Sequence, residues 1–172
     1  WQEFQGKVLQ KGRFVITVAG AYGKSTTTSM VSQMLFDANL DPTCEIGAKV
    51  LSWGSNFKIG KSKYYVCEAD EYNNNFLNYH SDVAIVLNVA WDHPDFFKTE
   101  ELLHQSYLNF IKNIKKDGVL IIPSDPKLES LAEQAKETRE DIQVVKVGEF
   151  EKIDLKIIGA FRQQNANAAL TL

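Results

Sequence analysis

The chain has 172 residues, of which 44% are hydrophobic and 24% are charged. This length and composition suit one globular domain with a single core. The formal net charge of −3 excludes a broad basic field that would attract nucleic acid, and no apolar run approaches the length of a membrane span. Cys44 and Cys67 stand alone without metal-ligand spacing, which favours a reducing, cytoplasmic compartment over a disulfide scaffold.

The first elements are a strand, a glycine turn and a helix. An apolar run at residues 14–19 predicts a buried strand, and a turn with Gly20 and Gly23 follows it. The helical pattern after the turn places these side chains on one face: Met30, Val31, Met34, Leu35 and Ala38. Residues 44–62 are rich in Gly, Ser, Asn and Lys, which predicts a hairpin or an irregular excursion.

The middle of the chain predicts two further buried strands, at residues 64–67 and 83–87, with a polar loop at 72–80 between them. The next predicted helix has these apolar side chains on one face: Leu103, Tyr107, Phe110, Ile111 and Ile114.

The end of the chain repeats the alternation of strands and helices. A strand is predicted at 119–122, a short helix around Leu128 and Leu131, strands at 142–147 and near 155–158, and a last helix from about Gln164. Together the elements predict an α/β domain with a mainly parallel sheet flanked by helices. The strand runs are apolar throughout, as expected of strands covered on both faces.

The glycine turn between the first strand and helix carries the strongest functional signal. Gly20 and Gly23 allow backbone N–H groups to approach a polyphosphate, and the helix N-terminus adds positive dipole there. Lys24 would neutralise the outer phosphates, and the Ser25 hydroxyl could ligate Mg²⁺. The general phosphate-loop pattern has a further glycine where this chain has Val18. The alternative interpretation is an ordinary turn that caps a helix.

Polar clusters also follow the other two central strands: Glu68 to Glu71, then Asn88, then Asp92 and His93. Ligands of open parallel sheets bind at the carboxyl ends of the strands, so these clusters could face one crevice with the glycine turn. A carboxylate there could bind Mg²⁺. The alternatives are a solvated acidic turn and a histidine that caps a loop, and spacing does not assign His93, because Mg²⁺ prefers oxygen.

Four segments together resemble the Mur ligases, the ATP-dependent amide-forming enzymes of peptidoglycan synthesis. They are residues 20–27, 68–71, 88–93 and 163–168. The segments look most similar to the branch that adds L-alanine to UDP-N-acetylmuramate and to the murein tripeptide recycling branch. The resemblance implies three domains, of which this chain would be the central ATP-binding one, with the UDP-binding and C-terminal domains outside residues 1–172.

The resemblance also implies roles for individual residues. The loop Gly20, Ala21, Tyr22, Gly23, Lys24, Ser25 and Thr26 would wrap the ATP phosphates. Lys24, Glu68 and His93 would be catalytic. Ser25, Glu68 and His93 would hold Mg²⁺, with His93 near a second ion. Asn167 would recognise adenine. The implied partners are UDP-N-acetylmuramate and an amino acid, with no nucleic acid and no membrane.

The sequence departs from the family pattern at several positions. Ala21 and Tyr22 stand where the family has a hydroxyl residue and a His or Asn, and Gln163-Gln164 replace His-Asn. A degenerate domain that binds nucleotide weakly or not at all therefore stays open.

Two alternatives make different demands on the sequence, one within the same superfamily and one of another class. The first is a folylpolyglutamate or cyanophycin type of ligase. Residues 68–71 argue against it, as does the absence of lysine from residues 103–108, where many family members carry a carbamylated lysine. The second is a regulatory nucleotide switch, and the chain lacks the Asn-Lys-x-Asp motif that reads guanine.

Overall fold

A computed structural model describes residues 1–148 and 160–172 of the chain. The strands in these ranges are β1 (Phe14–Ala19), β2 (Thr43–Val50), β3 (Ser55–Lys58), β4 (Tyr64–Ala69), β5 (Val83–Val86), β6 (Val119–Ile122) and β7 (Gln143–Lys146). Within the described residues they form one seven-stranded sheet in the order β3-β2-β4-β1-β5-β6-β7. Every neighbouring pair is parallel except β2 and β3, which form an antiparallel hairpin.

The helices are α1 (Gln2–Phe4), α2 (Lys24–Asp37), α3 (Glu100–Lys112), α4 (Pro126–Lys136) and α5 (Ala160–Leu170). A π-helical segment, Gln5–Leu9, continues α1, and a 3₁₀ helix spans Tyr72–Asn78. Helices α3 and α4 begin at side-chain caps: the Thr99 hydroxyl accepts from Leu102 N–H, and the Asp125 carboxylate accepts from Lys127 and Leu128 N–H. Among the described residues, none of these helices combines the length and the apolarity that a membrane span requires.

Strand alternation divides the core between the two faces of the sheet. On one face Tyr65, Ala84 and Leu120 pack with α3, α4 and the 3₁₀ helix. On the other face Val66 and Ile85 pack with α2 and α5. The sheet is therefore covered on both faces, and the carboxyl ends of its parallel strands are left to form a crevice.

The α/β fold class and the mainly parallel sheet are confirmed. Strands β1, β4, β5, β6 and β7 form within a residue or two of the predicted positions, and the 44–62 region forms the β2–β3 hairpin. The predicted strand near residues 155–158 lies outside the described residues.

Three predictions were wrong in detail. The predicted polar loop at 72–80 contains a 3₁₀ helix, whose Phe76 is fully buried. Helix α5 begins at Ala160 and not near Gln164. On α2 the predicted face is right for Val31, which is buried, and for Met30 and Leu35, which pack against the core. Met34 and Ala38 are exposed, however, and the other buried side chains of α2 are Thr27, Thr28 and Ser32. In the first and third cases the burial comes from tertiary packing, which local periodicity does not register.

Candidate functional site

The glycine loop lies where the central strand β1 meets α2. Gly20 and Gly23 have φ of 140° and 90°, in the region that disfavours side chains. A Cβ on Gly23 would also lie 2.9 Å from Asn165 Oδ1 on α5. Gly23 is the N-cap of α2, and no side chain caps its first N–H groups. These groups are open to an anion at the carboxyl edge of the sheet.

The Lys24 side chain folds back over this loop. Its ammonium donates to the Gly20 carbonyl at 2.8 Å and to Glu71 Oε2 at 3.0 Å, and it lies 3.8 Å from Asp70 Oδ1. The Glu71 side chain is 1% exposed, and its Oε1 has no hydrogen-bond partner among the described residues. The structure therefore brings the predicted lysine to the end of β4, onto a buried carboxylate with spare acceptor capacity.

Glu68 and Ser25 form a second polar group of the site. Glu68 Oε1 accepts from Gly47 N–H at 2.5 Å, and a Cβ on Gly47 would lie 2.9 Å from Glu68 Oε2. Burial raises the pKa of Glu68 above its ordinary value, while the Gly47 N–H, the Ser25 hydroxyl and the Lys24 charge act to lower that pKa. Two of the three predicted magnesium ligands, Ser25 and Glu68, are thus near enough for the Ser25 hydroxyl to lower the pKa of Glu68.

His93, the third predicted ligand, joins a different group. One ligand atom from each of His93, Asp70 and Glu71 lies within 4.8 Å of the others. His93 has φ of 56°, and its N–H donates to Asp92 Oδ1 at 2.7 Å. The structure therefore separates the predicted ligands into a Ser25–Glu68 group and a His93–Asp70–Glu71 group.

A cavity of about 720 Å³ opens beside the loop. Its lining comes from the loop, the carboxyl ends of β5, β6 and β7, and α5: Tyr22, Gly23, Thr26, Leu87, Asn88, Pro123, Ser124, Asp125, Val147, Gly148, Gln164, Asn165, Asn167 and Ala168. The cavity is large enough for a nucleotide-sized ligand.

Two asparagines of α5 line this cavity, and their side chains differ in hydrogen bonding. Asn167, the predicted adenine contact, accepts from Gln163 Nε2 at 2.8 Å. Asn165 is 7% exposed, and its Nδ2 has no hydrogen-bond partner among the described residues. Residues two apart lie on different sides of a helix, so the Asn-Ala-Asn sequence alone could not say which asparagine meets the loop.

Sequence reasoning missed two residues of the site and left two others without a role. Gly47 gave no signal, because its contact with Glu68 depends on the pairing of β2 with β4. Asn165 has no role in the sequence analysis, which assigns the adenine contact to Asn167. Glu71 and Asn88 stood in the predicted clusters, and their contacts with Lys24 and Tyr22 appear only in the fold.

A glycine loop and a lysine at the end of the central parallel strand, beside the buried carboxylate of Glu71, define an α/β domain of the phosphate-loop class. The chain belongs to the Mur ligase family: the family model described as the Mur ligase middle domain matches residues 18–149. The UDP-N-acetylmuramate–L-alanine ligase of Arthrobacter sp. (strain FB24) is 45% identical over 147 residues, which are 85% of this chain and 31% of that protein. The ligase of the same name from Acetivibrio thermocellus is 40% identical over 70% of this chain and 26% of its own length.

Solved structures show the same fold at lower sequence identity. The UDP-N-acetylmuramate:L-alanyl-γ-D-glutamyl-meso-diaminopimelate ligase of Neisseria meningitides superposes with a TM-score of 0.85 at 20% identity, over 98% of this chain and 63% of that one. The UDP-N-acetylmuramate–alanine ligase of Thermotoga maritima gives a TM-score of 0.74 at 19% identity, over 94% and 41%. This chain spans less than a third of the length of the curated relatives it matches.

Proposed function

We propose that this chain is the central, ATP- and Mg²⁺-binding domain of a ligase that joins L-alanine to UDP-N-acetylmuramate through an acyl phosphate. The placement of Lys24 carries the proposal: it stands on the glycine loop of the central strand and contacts a buried carboxylate of the next strand. The choice of L-alanine follows from the names of the relatives at 38–45% identity. The rest of the ligase would lie outside residues 1–172, as the 31% share of the Arthrobacter relative's length suggests.

The loop and its cavity would hold ATP in an extended pose. The N–H groups of residues 23–26 would bind the phosphates, with Ser25 and Thr26 at the start of α2. The base would enter the cavity, where the unpartnered Asn165 Nδ2 offers a donor to the edge of adenine. Asn165 is therefore our first candidate for the adenine contact, and Asn167 the second.

The carboxylates of the site fit Mg²⁺ in chemistry and charge. In the part of the chain that the structure describes, Glu68, Asp70 and Glu71 outnumber the lysine that contacts or faces them, so a polyphosphate would be repelled unless a cation joined it. Oxygen donors suit Mg²⁺. Ser25 with Glu68 would hold one ion, and Glu71 with Asp70 would hold a second ion beside His93. The unpartnered Glu71 Oε1 supports this second position.

The residues of this chain would act by positioning and by charge neutralisation. Bound Mg²⁺ would supply Lewis-acid stabilisation of the phosphoryl oxygens. Lys24 would leave Glu71 for the outer phosphates, which lowers the repulsion between ATP and the approaching carboxylate of the sugar substrate. The N-terminus of α2 would hold the phosphate chain in line for that attack. The amino group of the amino acid would then displace phosphate from the acyl phosphate.

The phosphate-loop part of the proposal is tested by calorimetric titration of the chain with Mg²⁺-ATP. We expect Lys24→Ala to abolish measurable binding and Lys7→Ala, at an exposed lysine of the N-terminal helical segment that does not line the cavity, to leave it unchanged. Unchanged affinity in Lys24→Ala would contradict the phosphate-loop assignment. Because Lys24→Ala leaves Glu71 buried without its ion partner, the double variant Lys24→Ala/Glu71→Gln separates loss of binding from loss of stability.

The magnesium part of the proposal is tested by titrating ATP in the presence of EDTA. We expect the affinity to fall at least about tenfold, since the carboxylates then face the phosphates without a counter-ion. Glu68→Gln should reduce the difference between the Mg²⁺ and EDTA titrations. Equal affinity under both conditions would contradict magnesium binding at this site.

The ligase part of the proposal is tested on the longer protein that contains this domain. We expect amide formation from UDP-N-acetylmuramate, L-alanine and ATP, and none by residues 1–172 alone. Ligation of murein tripeptide in place of L-alanine would assign the recycling branch. Ligation of glutamate to folate would assign the folate branch, and the absence of ATP binding would indicate a degenerate domain.

A further inference from the structure

The side-chain amide of Asn88 holds the backbone of the glycine loop from the neighbouring strand. Asn88 Nδ2 donates to the Tyr22 carbonyl at 2.9 Å, and the Tyr22 N–H donates to Asn88 Oδ1 at 3.2 Å. Both ends of one side-chain amide are thus bound to both polar backbone groups of one loop residue. With one donor and one acceptor, the side-chain amide makes the same two hydrogen bonds that a peptide group of a paired strand would make.

The contact continues the pairing of β1 with β5 beyond the end of both strands. Ala19 is in register with Val86, and the Leu87 N–H donates to the Ala19 carbonyl at 3.0 Å. Gly20 then passes so close to β5 that a Cβ would lie 3.2 Å from Leu87 Cβ. After Gly20 the chain turns toward α2 and its backbone no longer pairs with the β5 backbone. The Asn88 side chain then makes the hydrogen bonds to Tyr22 that a neighbouring strand would otherwise make.

We propose that Asn88 is a positioning residue of the phosphate loop: it fixes the peptide groups on both sides of Tyr22 so that the N–H groups at the start of α2 face the phosphates. This inference rests on the proposed function in one respect, that the loop binds the phosphates of ATP. It concerns the backbone of Tyr22 and not the ring, which is 63% exposed. The loop conformation is therefore set by Gly20, Gly23 and Asn88, and the unusual side chains of Ala21 and Tyr22 do not set it.

The test compares phosphate-bearing and phosphate-free ligands. Calorimetry of the chain with Mg²⁺-ATP, Mg²⁺-ADP and adenosine is carried out on the unsubstituted protein, on Asn88→Ala and on Asn113→Ala. Asn113 is the matched control, because its amide donates to the Leu77 carbonyl at 3.0 Å, in a different layer of the fold. With two hydrogen bonds removed, we expect Asn88→Ala to weaken ATP and ADP about 10- to 100-fold. Adenosine should stay within about twofold, because it makes no use of the loop N–H groups.

Each other outcome overturns the inference. An equal loss for adenosine would mean that Asn88 contacts the base or the ribose directly. Unchanged ATP affinity, with or without a lower melting temperature, would mean that the two hydrogen bonds are structural only.

A second measurement keeps the inference testable if the unsubstituted protein binds no ATP at all, which would contradict the proposed function instead. Amide hydrogen exchange of Tyr22, followed by NMR, should be at least about tenfold faster in Asn88→Ala than in Asn113→Ala, because its acceptor has been removed. Equal exchange rates in the two variants would overturn the positioning role of Asn88 whatever the ligand.

Discussion

Helices α2 and α3 cover opposite faces of the same sheet and bury different chemistry. Helix α3 buries a continuous apolar side that includes Leu103, Tyr107 and Phe110. Helix α2 buries Thr27, Thr28, Val31 and Ser32, and leaves Met34 37% exposed. The helix that carries the candidate site is therefore the one that departs from the amphipathic pattern.

The small polar side chains of α2 have a physical explanation. The Thr28 and Ser32 hydroxyls donate to the carbonyls four residues earlier, Lys24 and Thr28, so these two are buried with their hydrogen bonds met. The Thr27 hydroxyl is also buried and has no hydrogen-bond partner among the described residues. Helix α2 packs against β1, β2 and β4 on one side and against α5, and α5 brings the Asn165 side chain against Gly23.

The largest effect should come from the α3 side of the comparison. Phe110 is 1% exposed and stacks on Phe76 with ring centroids 4.7 Å apart. We expect Phe110→Ala to lower the free energy of unfolding by about 3–5 kcal/mol, measured by urea denaturation. Leu102→Ala, on the exposed side of the same helix, should change it by less than about 0.5 kcal/mol. Similar losses in the two variants would mean that α3 does not anchor the core.

On the α2 side the largest effect should fall on binding. Gly23→Ala combines a φ of 90° with a contact of 2.9 Å to Asn165, and we expect the affinity for Mg²⁺-ATP to fall about 10- to 100-fold. Gly54→Ala is the matched control: its φ is 66°, with no atom within 4 Å of the added Cβ. That variant should lose stability and keep its ATP affinity. An ATP affinity unchanged by Gly23→Ala, measured by calorimetry, would contradict the loop assignment.

A smaller effect should separate the buried and exposed apolar residues of α2 itself. Val31 is 0% exposed, and we expect Val31→Ala to lower the free energy of unfolding by about 2 kcal/mol. Met34→Ala should lower it by less than about 0.5 kcal/mol. The periodicity of the sequence places Val31 and Met34 on one face, so equal losses of unfolding free energy in the two variants would mean that periodicity describes α2 better than the fold does.

The smallest effect concerns a polar contact in the otherwise apolar α3–α4 layer. Arg139 donates to the Ile114 carbonyl at 2.8 Å and pairs with Asp141 at 2.8 Å, and its hydrogen bond holds the pKa of Asp141 well below the usual range. A carboxyl whose pKa is lower in the folded state stabilises the fold at pH values above its unfolded-state pKa. This contribution to the free energy of unfolding is lost as the pH falls through the folded-state pKa.

Asp141→Asn should therefore be less stable than the unsubstituted protein at pH 6, with a difference that shrinks below a pH of about 3.9. The measurement is the free energy of unfolding of both proteins from pH 7 down to pH 2. Asp117→Asn is a control that leaves the Arg139–Asp141 pair in place. A difference between Asp141→Asn and the unsubstituted protein that grows on acidification would contradict the assigned pair.

Prediction from the sequence was more accurate for α3 than for α2. The apolar face of α3 is predicted residue by residue, and β1, β4 and β5 are predicted because strands covered on both faces read as continuous apolar runs. The glycine loop is predicted because its residues are adjacent in the chain. The buried side of α2 and the contact of Gly47 with Glu68 are missed, because each depends on an element that is distant in sequence.

The sequence by itself determined the order of strands and helices, the glycine loop and the identity of the chemical groups that could meet a nucleotide. These features are local: periodicity, glycine positions and adjacent side chains specify them. Only the tertiary structure decided which of these groups meet, because contacts between strand ends depend on sheet order and register. It joined Lys24 to Glu71, separated Ser25 and Glu68 from His93, and brought Asn88 and Asn165 to the loop.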